Sequence, residues 1–314
     1  MLSRIADSLF WLSRYLERSD HLLRVCSTHY ILSLDKDSDV NRSWARILSM
    51  FTSLPANEVA GLEYQPEQSL NTILIGPTNT NSLKAIVHKA RENARGAQDH
   101  ITKEVWEQVN QMFHEINDAG VATRLQNFHS IAVMKELTRY SVQYIGWTEI
   151  TMPRGTGWQF MNLGRYVERA MQTIDLLVGE LENVKGDAGR MTDILHWRYL
   201  LLAMSGYELH LKTYRTVSHD FNALHQLVIN ENFSHSILYS LARIKSYLTM
   251  IIEGNDPGRE SSLLLRNIGR IHSDVSFLET HHLQTTAILP VLTKLRHDLN
   301  GFSRHLESQF FSYT

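Results

Sequence analysis

One ten-residue segment occurs twice in the chain. Phe10-Trp-Leu-Ser-Arg-Tyr-Leu-Glu-Arg-Ser19 aligns without a gap on Met161-Asn-Leu-Gly-Arg-Tyr-Val-Glu-Arg-Ala170, at an offset of 151 residues. Five of the ten positions are identical: Leu12/Leu163, Arg14/Arg165, Tyr15/Tyr166, Glu17/Glu168 and Arg18/Arg169. Trp44 and Trp197 stand at nearly the same offset, 153, and each opens a Leu-rich segment. Self-similarity of this kind marks a duplicated structural unit. It predicts one domain over 1–314 in which two repeats, about 1–152 and about 153–314, pack about a pseudo-twofold axis. No flexible linker separates them, so a single continuous core is expected.

The unit reads as all-α. Prolines fall at 55, 66, 77, 153, 257 and 290, leaving 78–152 and 154–256 open to unbroken helix. Sixteen glycines and six prolines in 314 residues lie well under the roughly 12% of an average chain, which starves sheets of turn residues. Leu9, Leu12, Leu16, Leu23, Cys26 and Tyr30 recur at the three-and-four spacing of a buried helix stripe. The patterns predict a bundle of about ten helices, over 3–33, 44–51, 82–98, 102–117, 122–145, 157–184, 191–213, 219–229, 234–253, 259–281 and 285–311. Asp35 to Asn41 reads as a loop, 54–81 as the longest irregular segment, and 146–157 as a turn-rich passage at the middle of the chain.

Charge and cysteine usage narrow the function classes. Thirty-one Lys and Arg against 33 Asp and Glu leave a net charge of −2, which disfavours the wholesale phosphate neutralisation of a nucleic-acid binder and leaves room only for a local basic site. No stretch approaches the 18 or so apolar residues of a membrane span. The single cysteine forms no internal disulfide, and the start MLSRIADSLFWL carries Asp7 and no cleavable leader pattern, so a cytoplasmic protein is expected.

The repeated motif carries the chemistry. On a helix, Arg14, Glu17 and Arg18 share an arc of roughly 100° opposite the main apolar stripe, and Arg165, Glu168 and Arg169 repeat that geometry. Such a face is ordinarily solvated, with weak ion pairs. Its recurrence in both halves, and the flanking Phe10, Trp11 and Val25, argue for a covered face instead. Two arginines and one glutamate then leave one net positive charge per copy, which a buried ion-pair network or an anion would compensate. Arginine forks bind carboxylate or phosphate bidentately, and Tyr15 and Tyr166 offer adjacent hydroxyls. The candidate ligand-binding residues are therefore Arg14, Tyr15, Glu17, Arg18, Arg165, Tyr166, Glu168 and Arg169. Arg91 and Arg95, one turn apart, repeat the spacing loosely. Arg154 precedes a helix start where Thr156 is a candidate N-cap. Gly155 and Gly157 equally suit a tight turn, and the segment lacks the glycine pattern of a phosphate-binding loop.

Several catalytic readings fail. There is no His-Glu-x-x-His, and the one Glu-x-x-His, at Glu279 and His282, falls short of the two that a di-iron bundle needs. No metal or cofactor is expected. Cys26 lies in the apolar stripe as core filler, and no Gly-x-Ser-x-Gly elbow occurs.

At Arg14-Tyr-Leu-Glu-Arg18 and Arg165-Tyr-Val-Glu-Arg169 the chain resembles the bacterial alpha-E domain family, helical proteins named for a Glu-Arg motif. The likeness extends to Met1-Leu-Ser-Arg-Ile-Ala-Asp-Ser-Leu-Phe-Trp-Leu, Ala90-Arg-Glu-Asn-Ala-Arg95, Thr151-Met-Pro-Arg154 and Gly157-Trp158. It implies association with circularly permuted ATP-grasp ligases and transglutaminase-like proteins, and a part in making or modifying peptides. Neither of those enzymes is visible within this sequence, so a stand-alone subunit is expected. One departure is Phe233-Ser-His-Ser-Ile, where the family's pattern has Phe-Pro-Arg-Ser. Three functions follow as expectations. The first is an accessory module that captures a peptide or other anionic ligand, or docks the ligase, through the paired motifs. The second is an enzyme using Glu17 or Glu168 as acid or base while arginines hold a carboxylate or phosphate. The third is a purely structural motif.

Overall fold

A computed structural model describes residues 2–34, 43–126, 129–184, 194–215, 218–254 and 259–311; the expected loop Asp35 to Asn41 lies outside them. Among the described residues the chain has α-helices, short 3-10 turns and no strand. It divides into two compact units, one of Met1–Arg14 with Arg154–Thr314 and one of Tyr15–Pro153, so the long first helix, α1 (Ser3–Ser33), contributes its first turns to one unit and the rest to the other.

The unit containing Arg154–Thr314 is organised by residues spaced three and four apart. In α9 (Thr156–Val184) the stripe Phe160, Leu163, Val167, Ala170, Ile174, Leu177 and Leu181 is buried. Three later helices, α13 (Ile237–Glu253), α14 (Arg259–Ser276) and α15 (Thr285–Phe310), bury Ile237-Leu241-Ile244-Leu248-Ile251, Leu264-Ile268-Ile271-Val275 and Ile288-Leu292-Leu295-Leu299-Phe302-Leu306. This is the stripe of an amphipathic bundle helix, and each large aliphatic side chain buried contributes about 1.5–3 kcal/mol. α9 packs on α13 and α15, and α14 bridges those two. Between them, α10 (Ile194–Ala203), α11 (Tyr207–Thr213) and α12 (His219–Val228) form a small subcluster.

In the other unit, α2 (Ala45–Phe51), α3 (Ala56–Leu62), α4 (Pro66–Ile75) and α7 (Val121–Leu125) are short. The longer α5 (Leu83–Gly96), α6 (Lys103–Asn117) and α8 (Ser130–Thr151) pack side by side with α6 in the middle.

Fifteen α-helices among the described residues exceed the ten or so expected, for identifiable reasons. The segment 54–81 is not irregular. Pro55 occupies the N-cap position of α3 and Pro66 the first position of α4, places where a missing N–H costs nothing. The passage 146–157 is not a turn either, because α8 runs through Gly146 to Thr151 and only 152–155 breaks the helix. Thr156 is the first helical residue rather than the cap, and the Gly155 carbonyl accepts from Gln159 N–H at 3.1 Å. Of the helix expected over 191–213, residues 191–193 lie outside the described ones, and the rest divides at Ser205, whose φ of 54° lies in the left-handed region; Gly206 N–H reaches back to Leu201 O at 2.7 Å.

Candidate functional site

α1 and α9 cross where Phe10 meets Gly164. A Cβ on Gly164 would stand 3.0 Å from the Phe10 carbonyl carbon and still closer to its oxygen, so only glycine permits this approach. One turn along each helix, it delivers Arg14 of the first motif to Glu168 of the second. Arg14 Nε donates to Glu168 Oε2 at 2.8 Å, with the two side chains only 10% and 3% exposed. The Arg14 guanidinium lies 4.3 Å from the Trp11 ring centroid, and Glu307 stands 4.0 Å from its Nη1. The second glutamate oxygen, Oε1, accepts from Gln172 Nε2 at 3.2 Å. Both charges of the pair are thereby compensated out of water, and loss of one partner of such a pair costs about 3–5 kcal/mol. Glu17 and Arg169 are buried as well, while Arg18 and Arg165 are half-buried, so the motifs do not form a solvated face.

Further along α9 the motif grips the chain before α13. Arg169 Nη1 donates to Ser234 O at 3.3 Å and Thr173 Oγ1 to His235 O at 3.1 Å. These acceptors are main-chain carbonyls, which any side chain leaves in place. The contact therefore does not depend on which side chains stand at Ser234 and His235. Tyr166 is flanked by Arg169 at 5.2 Å and Arg165 at 5.3 Å from its ring centroid, and it stacks on Tyr247. Burial, first among the causes, pushes its phenol up, and the Tyr239 hydroxyl is a hydrogen-bonding neighbour. Arg243 lies 5.0 Å from the Tyr239 ring centroid. Its pKa is raised first by a hydrogen bond with the Tyr239 hydroxyl, and further by Tyr239, Tyr166 and Tyr247 as electrostatic neighbours. Arg154 packs over Trp158 at 4.3 Å, and Trp158 meets Tyr247 edge-on.

In the unit Tyr15–Pro153, the first motif's Tyr15 is flanked by Arg18 at 5.7 Å and by Lys89 of α5 at 5.9 Å. α5 and α13 begin alike. Asn79 Oδ1 accepts from Asn81 N–H at 3.0 Å, as Asn230 Oδ1 does from Asn232 N–H at 2.9 Å. A buried serine then caps each helix: Ser82 Oγ accepts from Ala85 N–H at 3.3 Å and Ser236 Oγ from Tyr239 N–H at 3.0 Å. Lys89 and Arg243 both stand seven residues after the cap.

Arg91 and Arg95 diverge. Arg91 donates from Nε to Asn110 Oδ1 at 2.7 Å and lies 4.6 Å from the Phe113 ring centroid, whereas Arg95 is exposed and pairs with Glu92. Cys26 is buried and its thiol is pushed up by burial alone. Glu279 and His281 are exposed in the 3-10 turn before α15 and lie 3.1 Å apart. Among the described residues, no helix is long and apolar enough to cross a membrane.

The residues added by the structure are Gln172, Tyr239, Arg243 and Tyr247 beside the second motif, and Lys89 beside the first. A comparison allowing a gap would have found part of this set. Asn79-x-Asn81 and Asn230-x-Asn232 keep the offset of 151, and a three-residue insertion moves the capping serines and the cations to an offset of 154.

The chain also matches, over residues 1–311, a family model, Alpha-E, described as a predicted alpha-helical domain with a conserved ER motif. No curated protein and no solved structure matches it. In this chain the motif's dipeptide occurs as Glu17-Arg18 and Glu168-Arg169, and the match covers both copies. The chain belongs to the Alpha-E family.

Proposed function

We propose that the chain is a duplicated helical binding module with no acid-base chemistry at its motif glutamates. It captures a peptide or other anionic ligand, or docks a ligase of the circularly permuted ATP-grasp type, through the motif arginines and tyrosines. The ATP-grasp partner and the link to peptide synthesis or modification come from the family resemblance. The observation that carries the reading is the environment of Glu168. Its oxygens accept from Arg14 and Gln172 at a position 2% exposed, whereas a general base must reach the proton it abstracts. Part of the motif is thus a clamp between α1 and α9. The half-buried Tyr15, Arg18 and Arg165 are the members a ligand can reach. The duplication is supported by the matching Asn turns and serine caps at the starts of α5 and α13.

The test is to incubate the purified chain with a permuted ATP-grasp ligase, ATP and candidate peptides. ADP release that requires both proteins is the expected result, and peptide turnover by this chain alone refutes the reading. Glu168→Gln, assayed well below its melting temperature, retains the partner-dependent release. If an intact, folded Glu168→Gln protein loses all release, the glutamate is chemical after all.

A further inference from the structure

We infer that each unit carries its own oxyanion subsite, built on the motif tyrosine and completed by a cation from a serine-capped helix that the motif does not include. One subsite is Tyr15, Arg18 and Lys89; the other is Arg165, Tyr239 and Arg243, gathered around the buried Tyr166. The inference deepens the module reading and rests on it for the anionic character of the ligand.

In both units an Asn turn leads to a buried serine cap, and seven residues later an exposed cation lies over a tyrosine ring. In one unit that cation is Lys89, 5.9 Å from the Tyr15 ring centroid; in the other it is Arg243, bonded to the Tyr239 hydroxyl, with Tyr166 an electrostatic neighbour. A core requirement does not explain the recurrence, because Lys89 and Arg243 are both exposed. Nor does ion pairing explain Arg243: the groups that raise its pKa are three tyrosines, with no carboxylate among them.

The arrangement suits an oxyanion. A guanidinium stacked on an aromatic ring uses its face for the ring and keeps its N–H edge for in-plane hydrogen bonds. A phenol beside it adds a neutral donor. A second cation stands close by: Arg18 lies 5.7 Å from the same Tyr15 ring as Lys89, and Arg165 lies 5.3 Å from the ring of Tyr166, whose centroid is 6.0 Å from that of Tyr239. Carboxylate and phosphate share this chemistry. The second subsite has arginine where the first has lysine, so it offers a bidentate fork and is the tighter of the two.

The experiment is isothermal titration calorimetry of the full chain with inorganic phosphate and, separately, with acetyl-diglutamate, which tells the two oxyanion sources apart. Two equivalents per chain are expected for at least one of them. Arg243→Ala removes the tighter equivalent and Lys89→Ala the weaker, each weakening its site about tenfold or more, as loss of a charged hydrogen bond does. The double variant retains neither, and the exposed control Lys245→Ala retains both. Because Lys89 and Arg243 are exposed, circular dichroism is expected to show all variants folded. Absence of stoichiometric binding of either anion, or binding unchanged in Lys89→Ala and Arg243→Ala, overturns the inference. If binding is unchanged while partner-dependent ADP release persists, the subsites fall and the module stands. If both subsites behave as described but the chain turns over peptide alone, the module falls and the subsites stand.

Discussion

Replacing Gly164 by alanine puts two effects in opposition. Alanine in a helix interior is favoured over glycine by about 1 kcal/mol. At this position, however, the new methyl would lie 3.0 Å from the Phe10 carbonyl carbon and closer still to its oxygen, and these two atoms are backbone, which has no flexible end to move aside. Overpacking of this kind costs about 1–3 kcal/mol. The helices must also part just where their approach brings Arg14 to Glu168, and a buried pair of this type costs about 3–5 kcal/mol when fully broken. Partial loss of the pair plus overpacking, less the propensity gain, gives a net destabilisation of about 2–4 kcal/mol. At 2–4 °C per kcal/mol, the melting temperature falls by roughly 5–15 °C. Urea unfolding and thermal melts followed by far-ultraviolet circular dichroism measure it. Gly269→Ala and Gly301→Ala are the controls: both sit inside helices with nothing within 4 Å of the new Cβ. Each stabilises by about 0.5–1 kcal/mol. A Gly164→Ala protein as stable as these controls would refute the close crossing of α1 and α9.

Four further substitutions test other parts of the account. His29 is buried against Trp44, and burial, reinforced by Arg46, pushes its pKa down to about 4 from 6.5. Between those values the unfolded chain takes up a proton that the fold refuses. Its contribution is therefore complete above pH 6.5 and lost as pH falls toward 4, so wild type loses about 2 kcal/mol more than His29→Gln between pH 7.5 and 5.0 in urea titrations. Ser205→Gly relieves a left-handed residue at φ 54° and raises stability by about 0.5–1 kcal/mol, read as a higher urea midpoint. Arg91→Ala removes a bond to Asn110 and packing on Phe113 at a cost of about 1 kcal/mol, whereas exposed Arg95→Ala changes stability by less than about 0.5 kcal/mol.

Helices with strong apolar periodicity were legible in the sequence almost to the residue. α1 spans 3–33 as the Leu9-Leu12-Leu16-Leu23 stripe implies, and α6, α9, α12 and α15 fall within a residue or two of the ends that their periodicity sets. Prolines and glycines misled where their position mattered more than their presence. Pro55 and Pro66 start helices, and Gly146 is carried inside α8. Ser205 shows the reverse: a break made by an ordinary residue in a left-handed conformation leaves no composition signal.

At the site, the spacing of the motif marked Arg14 and Glu168, but a single-helix projection gives no partner across helices. Their bond depends on Gly164, which the repeat aligned with Ser13 as a mere difference. Lys89 and Arg243 escaped because three extra residues shift their register to an offset of 154, and Tyr239 because Ala85 stands at the corresponding position; surface cations beside tyrosines are unremarkable until the two segments are laid together.

The most direct test of the claim that the motif glutamate clamps α1 to α9 is a double-mutant cycle on Arg14→Met and Glu168→Gln. Both replacements keep the side chains' length and remove the charge. Each single variant leaves one buried charge without its partner across the helices, while the double variant removes both charges, so unfolding free energies are predicted to give a coupling above about 2 kcal/mol. Additive effects within about 0.5 kcal/mol would contradict the account.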